Sequence, residues 1–82
     1  MQVKVYGRNG EPYSDMLKNI LKFYSIEYEN IEVSRSEEAL NELKDVSGQE
    51  TTPVLVVDNK VFVGFDREQI KEVLNLPKDQ GE

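Results

Sequence analysis

The sequence predicts an α/β domain in which a four-stranded mixed sheet is flanked by three helices, in the order β-α-β-α-β-β-α. Three observations lead there. Polar–apolar alternation marks residues 2–6 and 27–33, and an amphipathic helical stripe over residues 12–24 lies between them. A second helical stripe runs up to Gly48. The apolar run Pro53-Val54-Leu55-Val56-Val57 is then joined through Asp58-Asn59 to Lys60-Val61-Phe62-Val63, the pattern of a hairpin. A β-α-β opening requires a right-handed crossover between parallel strands, whereas a hairpin adds antiparallel ones.

Each element has its own grounds. In the first strand Val3 and Val5 share one face, as in a half-buried strand, and Gly7 to Gly10 is rich in turn formers. Pro12 suits the first position of the first helix, where its missing N–H is not needed, and Asp15 adds negative charge to the first turn. Leu17, Ile20, Leu21 and Tyr24 recur at i, i+3, i+4 and i+7, with Met16 and Phe23 widening the stripe. Ser34-Arg35-Ser36-Glu37 reads as a capping box, Ser34 serving the Glu37 N–H and Glu37 reaching back. The helix it opens carries Ala39, Leu40, Leu43 and Val46 on one face. The run 53–57 suits a strand buried on both faces. Asp66 caps a last helix bearing Ile70, Val73 and Leu74, which Leu76-Pro77 ends. Residues 1–76 therefore make one domain, and 77–82 a short charged tail.

Composition works mainly by exclusion. A net charge of −6 disfavours nucleic acid and anionic membranes. No run is long and apolar enough to span a bilayer, and residues 1–5 lead into a strand rather than a signal peptide, so a cytoplasmic protein is expected. With neither cysteine nor histidine, a disulfide framework and the usual zinc and imidazole chemistries have no ligands, and no metal site is expected. The short, charged second strand argues against edge pairing with another chain, so a monomer is expected.

Three short segments stand at structurally telling places. Glu11-Pro12-Tyr13-Ser14 follows the first strand and opens the first helix, Thr51-Thr52-Pro53-Val54 enters the third strand, and Val63-Gly64-Phe65-Asp66 turns into the last helix. The element order suggests a thioredoxin-like architecture. From Val3 to about Leu74 the chain resembles the small glutaredoxins, glutathione-dependent thiol–disulfide oxidoreductases. In that family the first segment reads Cys-Pro-Tyr-Cys, so Glu11 stands for the nucleophile and Ser14 for the resolving cysteine. The second segment is similar to the family's Thr-Val-Pro, whose proline is cis and faces the active site. The third is similar to its glycine-and-aspartate turn.

Each position carries two readings. The resemblance implies a cis Thr52–Pro53 bond that exposes the Thr52 backbone to an extended peptide; alternatively Pro53 only starts a strand. Gly64, Phe65 and Asp66 lie where glutaredoxins hold the γ-glutamyl end of glutathione, yet an N-cap alone explains Asp66. Arg8 falls where many glutaredoxins carry a lysine that meets a glutathione carboxylate, or else it is a solvated loop arginine. Tyr13 is either a wall of a peptide groove or an ordinary exposed aromatic.

The two replaced cysteines decide the functional expectation. Disulfide exchange needs a thiolate, which neither a carboxylate nor a hydroxyl can replace. Glu11 is expected to fill the anion site at the helix start, using its N–H groups and dipole, while Ser14 satisfies backbone groups in the first turn. New catalysis by Glu11, Asp15 and Ser14 is not expected, because no histidine is available to activate the serine. The expectation is a redox-inactive module that binds an extended peptide or small thiol-type ligand without a resident cofactor. Glutathione would be held weakly, repelled by Glu11 and by the net charge. The alternative is a working glutaredoxin whose cysteines were replaced by engineering.

Overall fold

The computed structural model describes residues 1–77, so of the charged tail 77–82 all but Pro77 lies outside the described residues. The elements are β1 (Val3–Gly7), α1 (Pro12–Phe23), β2 (Glu29–Glu32), a 3-10 turn (Val33–Arg35), α2 (Glu37–Ser47), β3 (Val54–Val57), β4 (Lys60–Val63) and α3 (Arg67–Val73). The sheet order is β2-β1-β3-β4. Strand β1 runs parallel to β2, from Lys4 opposite Glu29 to Gly7 opposite Glu32, and antiparallel to β3, from Val3 opposite Val57 to Tyr6 opposite Val54. Strand β4 completes the hairpin with β3, closed by Asp58 at φ +54°. This is the predicted mixed sheet, and the fold is thioredoxin-like.

Alternation along β1 and β3 divides the core in two. Val3, Val5, Leu55 and Val57 face one side, where they pack with Leu17 and Leu21 of α1 and with Ile70 and Leu74 at α3. Tyr6 and Val54 face the other, against Val33 of the 3-10 turn and Leu43 of α2. The expectation of a half-buried β1 therefore fails at its C-terminal end. Tyr6 is fully buried, and its hydroxyl donates to Glu42 Oε2 at 2.7 Å. Burial, together with that bond, pushes the Tyr6 phenol well above its usual range.

Two further expectations need correction. The cap of α2 is Ser36, whose hydroxyl accepts from the Ala39 N–H at 3.1 Å, not Ser34. Ser34 instead sits in the 3-10 turn and donates its own N–H and hydroxyl to Glu32. Met16 and Phe23 do not widen the buried stripe of α1: they are 37% and 79% exposed. Gly48 ends α2 in the left-handed region at φ +74°, as its type suits. Among the described residues no helix is long and apolar enough to cross a membrane.

Candidate functional site

The loop between β1 and α1 brings the predicted residues together through close backbone approach. At Gly7 a side chain would place its Cβ 3.0 Å from Ser14 Oγ and 3.1 Å from Ser14 Cβ. A glycine there lets the first turn of α1 pack directly on the strand, which leaves Ser14 fully buried. Pro12 occupies the start of the helix, and Glu11 is its N-cap with extended backbone at φ −87° and ψ 118°.

The Glu11 side chain accepts no bond from the helix N–H groups, contrary to expectation. Its Oε1 instead accepts from Ser14 Oγ at 2.5 Å and from Thr52 Oγ1. Ser14 thus serves the carboxylate, not the backbone. Arg8 extends the network: Nη1 donates to Thr52 Oγ1 at 3.0 Å and to the Glu50 carbonyl at 3.1 Å. Two segments distant in sequence, residues 8–14 and 50–52, meet in one chain of polar contacts, Arg8 to Thr52 to Glu11, with Ser14 closing on Glu11.

Electrostatics favour an ionised Glu11. Burial pushes its carboxyl up, but the Ser14 and Thr52 hydrogen bonds and the Arg8 charge outweigh it, so the group lies below the ordinary 4.5. A carboxylate so stabilised is a weak proton acceptor, and the buried Ser14 hydroxyl is already committed to it. The pair is therefore poorly suited to serine-nucleophile chemistry. Among the described residues no cluster of acids could hold a metal ion.

The other predicted positions line the same end of the sheet. The Thr52–Pro53 bond is cis, and the Pro53 carbonyl accepts from the Gly64 N–H at 2.8 Å. The backbone N–H and C=O of Thr52 make no hydrogen bond among the described residues. Gly64, at φ +92°, adopts a backbone that a side chain would strain. The next residue, Phe65, stacks on Tyr13 with ring centroids 5.5 Å apart and planes 18° from parallel. Asp66 caps α3, its Oδ1 accepting from the Gln69 N–H at 3.2 Å.

Glu32 also serves this loop, although no sequence motif marks it. Its Oε1 accepts from the Asn9 N–H at 3.0 Å, fastening the β1–α1 loop to the end of β2. Those bonds, led by Ser34, outweigh burial and hold the Glu32 carboxyl below its usual range. The parallel pairing of Gly7 with Glu32 is the one signal that could have found it.

A glutaredoxin family model matches residues 3–62, which include Glu11-Pro12-Tyr13-Ser14 and Thr52-Pro53. The chain belongs to the glutaredoxin family. It is 25% identical over 72 residues to an uncharacterised glutaredoxin-like 8.6 kDa protein in the rubredoxin operon of Clostridium pasteurianum, covering 88% of this chain and 96% of that one. Among solved structures, the thioredoxin-like protein BC3987 superposes with a TM-score of 0.82 at 28% identity, covering 88% of this chain and 99% of that one. The glutaredoxin of Archaeoglobus fulgidus shares the fold, with a TM-score of 0.81 at 24% identity over 89% of this chain and 85% of its own. Against this family's Cys-Pro-Tyr-Cys pattern, the chain is a glutaredoxin homologue without cysteine.

Proposed function

We propose that this glutaredoxin homologue is a redox-inactive binding module. It holds an extended peptide or a small thiol-type ligand in the groove formed by Tyr13, Thr52-Pro53 and Gly64-Phe65-Asp66. The observation that carries the reading is the fixed Glu11 carboxylate. It stands where the family's nucleophilic cysteine would be, tied to Ser14 and Thr52. A hydrogen-bonded carboxylate with a lowered pKa neither attacks sulfur nor leaves as a thiolate.

Two features support a peptide ligand. The Thr52 backbone N–H and C=O, without a partner among the described residues, offer an added strand its hydrogen bonds, and the stacked Tyr13 and Phe65 rings offer an apolar wall. Arg8 reaches a ligand carboxylate with the guanidinium donors that Thr52 and Glu50 leave over. Glutathione binds weakly, because its anionic charge and thiol meet Glu11. The protein works as a cytoplasmic monomer and engages neither nucleic acid nor membrane.

The test compares the unmodified chain with its Glu11→Cys/Ser14→Cys variant in reduction of a mixed glutathione disulfide. The unmodified chain stays at background, and the variant, with the rest of the groove intact, turns over. Turnover by the unmodified chain well above background refutes the proposal.

A further inference from the structure

Away from the Glu11 network, a groove of about 440 Å³ separates α1 from α3, lined by Met16, Ile20, Phe23 and Tyr24 on one wall and by Arg67 and Lys71 on the other. Two facts single it out. It exposes large apolar groups that the fold leaves uncovered, Met16 at 37% and Phe23 at 79%, with Phe23 braced edge-on by Tyr24 at 4.9 Å between centroids. Among the described residues that line it the charged side chains, Arg67 and Lys71, are basic, although the chain as a whole carries −6. Apolar, aromatic and arginine side chains together are the composition of a protein-interface core.

We propose that this groove docks an amphipathic helix of a partner protein, one that carries acidic residues beside an apolar stripe. Shape and charge both select that occupant. Met16, Ile20 and Phe23 stand at i, i+4 and i+7 on α1 and span about 10 Å, two turns of a bound helix laid alongside. Phe23 is too exposed for the groove to enclose a small molecule, so an open ridge-in-groove contact fits it better. Arg67, exposed at the N-terminal end of α3, gives an acidic flank a partner, whereas a basic helix would meet like charge locally. The inference does not depend on how the Glu11 groove is used.

The test sets local charge against net charge. The isotope-labelled protein is titrated with a helical peptide of roughly 15 residues carrying leucine at i, i+4 and i+7 and glutamate on its flanks, and with the same peptide carrying lysine instead. The expected result is saturable shifts at Met16, Ile20, Phe23 and Arg67, leaving Thr52 and Gly64 unmoved, with the acidic peptide at least tenfold tighter. Phe23→Ser, a change at an exposed position, abolishes binding, and Arg67→Glu reverses the preference. Equal or tighter binding of the basic peptide overturns the proposal, as does failure of both peptides to bind at millimolar concentration. So does a self-associated protein, seen by sedimentation, that Phe23→Ser converts to monomer.

Discussion

Replacing Ser14 by alanine probes the polar network at its most buried point. The change removes one oxygen from a fully buried side chain and with it the 2.5 Å bond to Glu11 Oε1, while Thr52 keeps its own bond to the same atom. A hydrogen bond to a charged group contributes about 1.5–3 kcal/mol, but a methyl in place of a desolvated hydroxyl returns part of that. The expected loss at neutral pH is about 1–2 kcal/mol, or roughly 4–16 °C in Tm for a domain of this size. The pH dependence carries more information than the magnitude. Because the folded-state pKa of Glu11 is depressed, its contribution is complete above the ordinary 4.5 and is lost as pH falls through the lower folded value. Ser14→Ala removes the hydrogen bond that does most to lower it, so the stability gap between the two proteins narrows below pH 4.5. Urea denaturation from pH 7 down to pH 3 measures both quantities. A loss below 0.5 kcal/mol at neutral pH on the order of an ordinary surface change, or a gap that stays constant with pH, refutes the network as drawn.

Other consequences concern packing and burial. Gly7→Ala forces Ser14 Oγ and Cβ to yield from 3.0 and 3.1 Å, an overpacking of about 1–3 kcal/mol that denaturation reads directly. The disturbance moves the Ser14 and Glu11 resonances with it; unchanged stability argues against the close contact of β1 with α1. Tyr6→Phe loses the bond to Glu42 and costs about 1 kcal/mol at pH 7. The raised Tyr6 phenol contributes stability that is complete below its ordinary 10.0 and is lost as pH rises towards the folded value. The alkaline fall in stability is therefore shallower in Tyr6→Phe, and identical alkaline slopes contradict the buried phenol.

What the sequence could show depended on the distance over which each feature is decided. Element order and strand pairing follow from local periodicity and turn chemistry, so the mixed sheet, the cap at Asp66 and the left-handed stop at Gly48 were legible. The cap of α2 was misplaced by two residues, because Ser34 and Ser36 both match a capping residue locally. Glu32, two residues before Ser34, captures it in the 3-10 turn and leaves Ser36 to cap the helix. The burial of Tyr6 was invisible because it is decided at long range. Alternation shows that Tyr6 lies opposite Val5 but not that α2 covers that face. At the site, the identities of Glu11, Ser14, Thr52 and Arg8 could be picked out, but not their pairing. Serine and threonine hydroxyls outcompete the helix N–H groups for the carboxylate because β3 brings Thr52 to the head of α1.

The central claim is that the Glu11 carboxylate occupies the place of the reactive thiol and weakens, without abolishing, the groove's hold on a glutathione-type ligand. The most direct measurement is the glutathione affinity of the unmodified protein and of Glu11→Ala, taken side by side by NMR titration. The account predicts weak, saturable shifts at Arg8, Tyr13, Thr52 and Gly64 to Asp66, with affinity on the order of tenfold or more tighter once the carboxylate is gone, as removal of one like charge from a binding site implies. Equal affinity for the two proteins, or shifts confined to other surfaces, contradicts it.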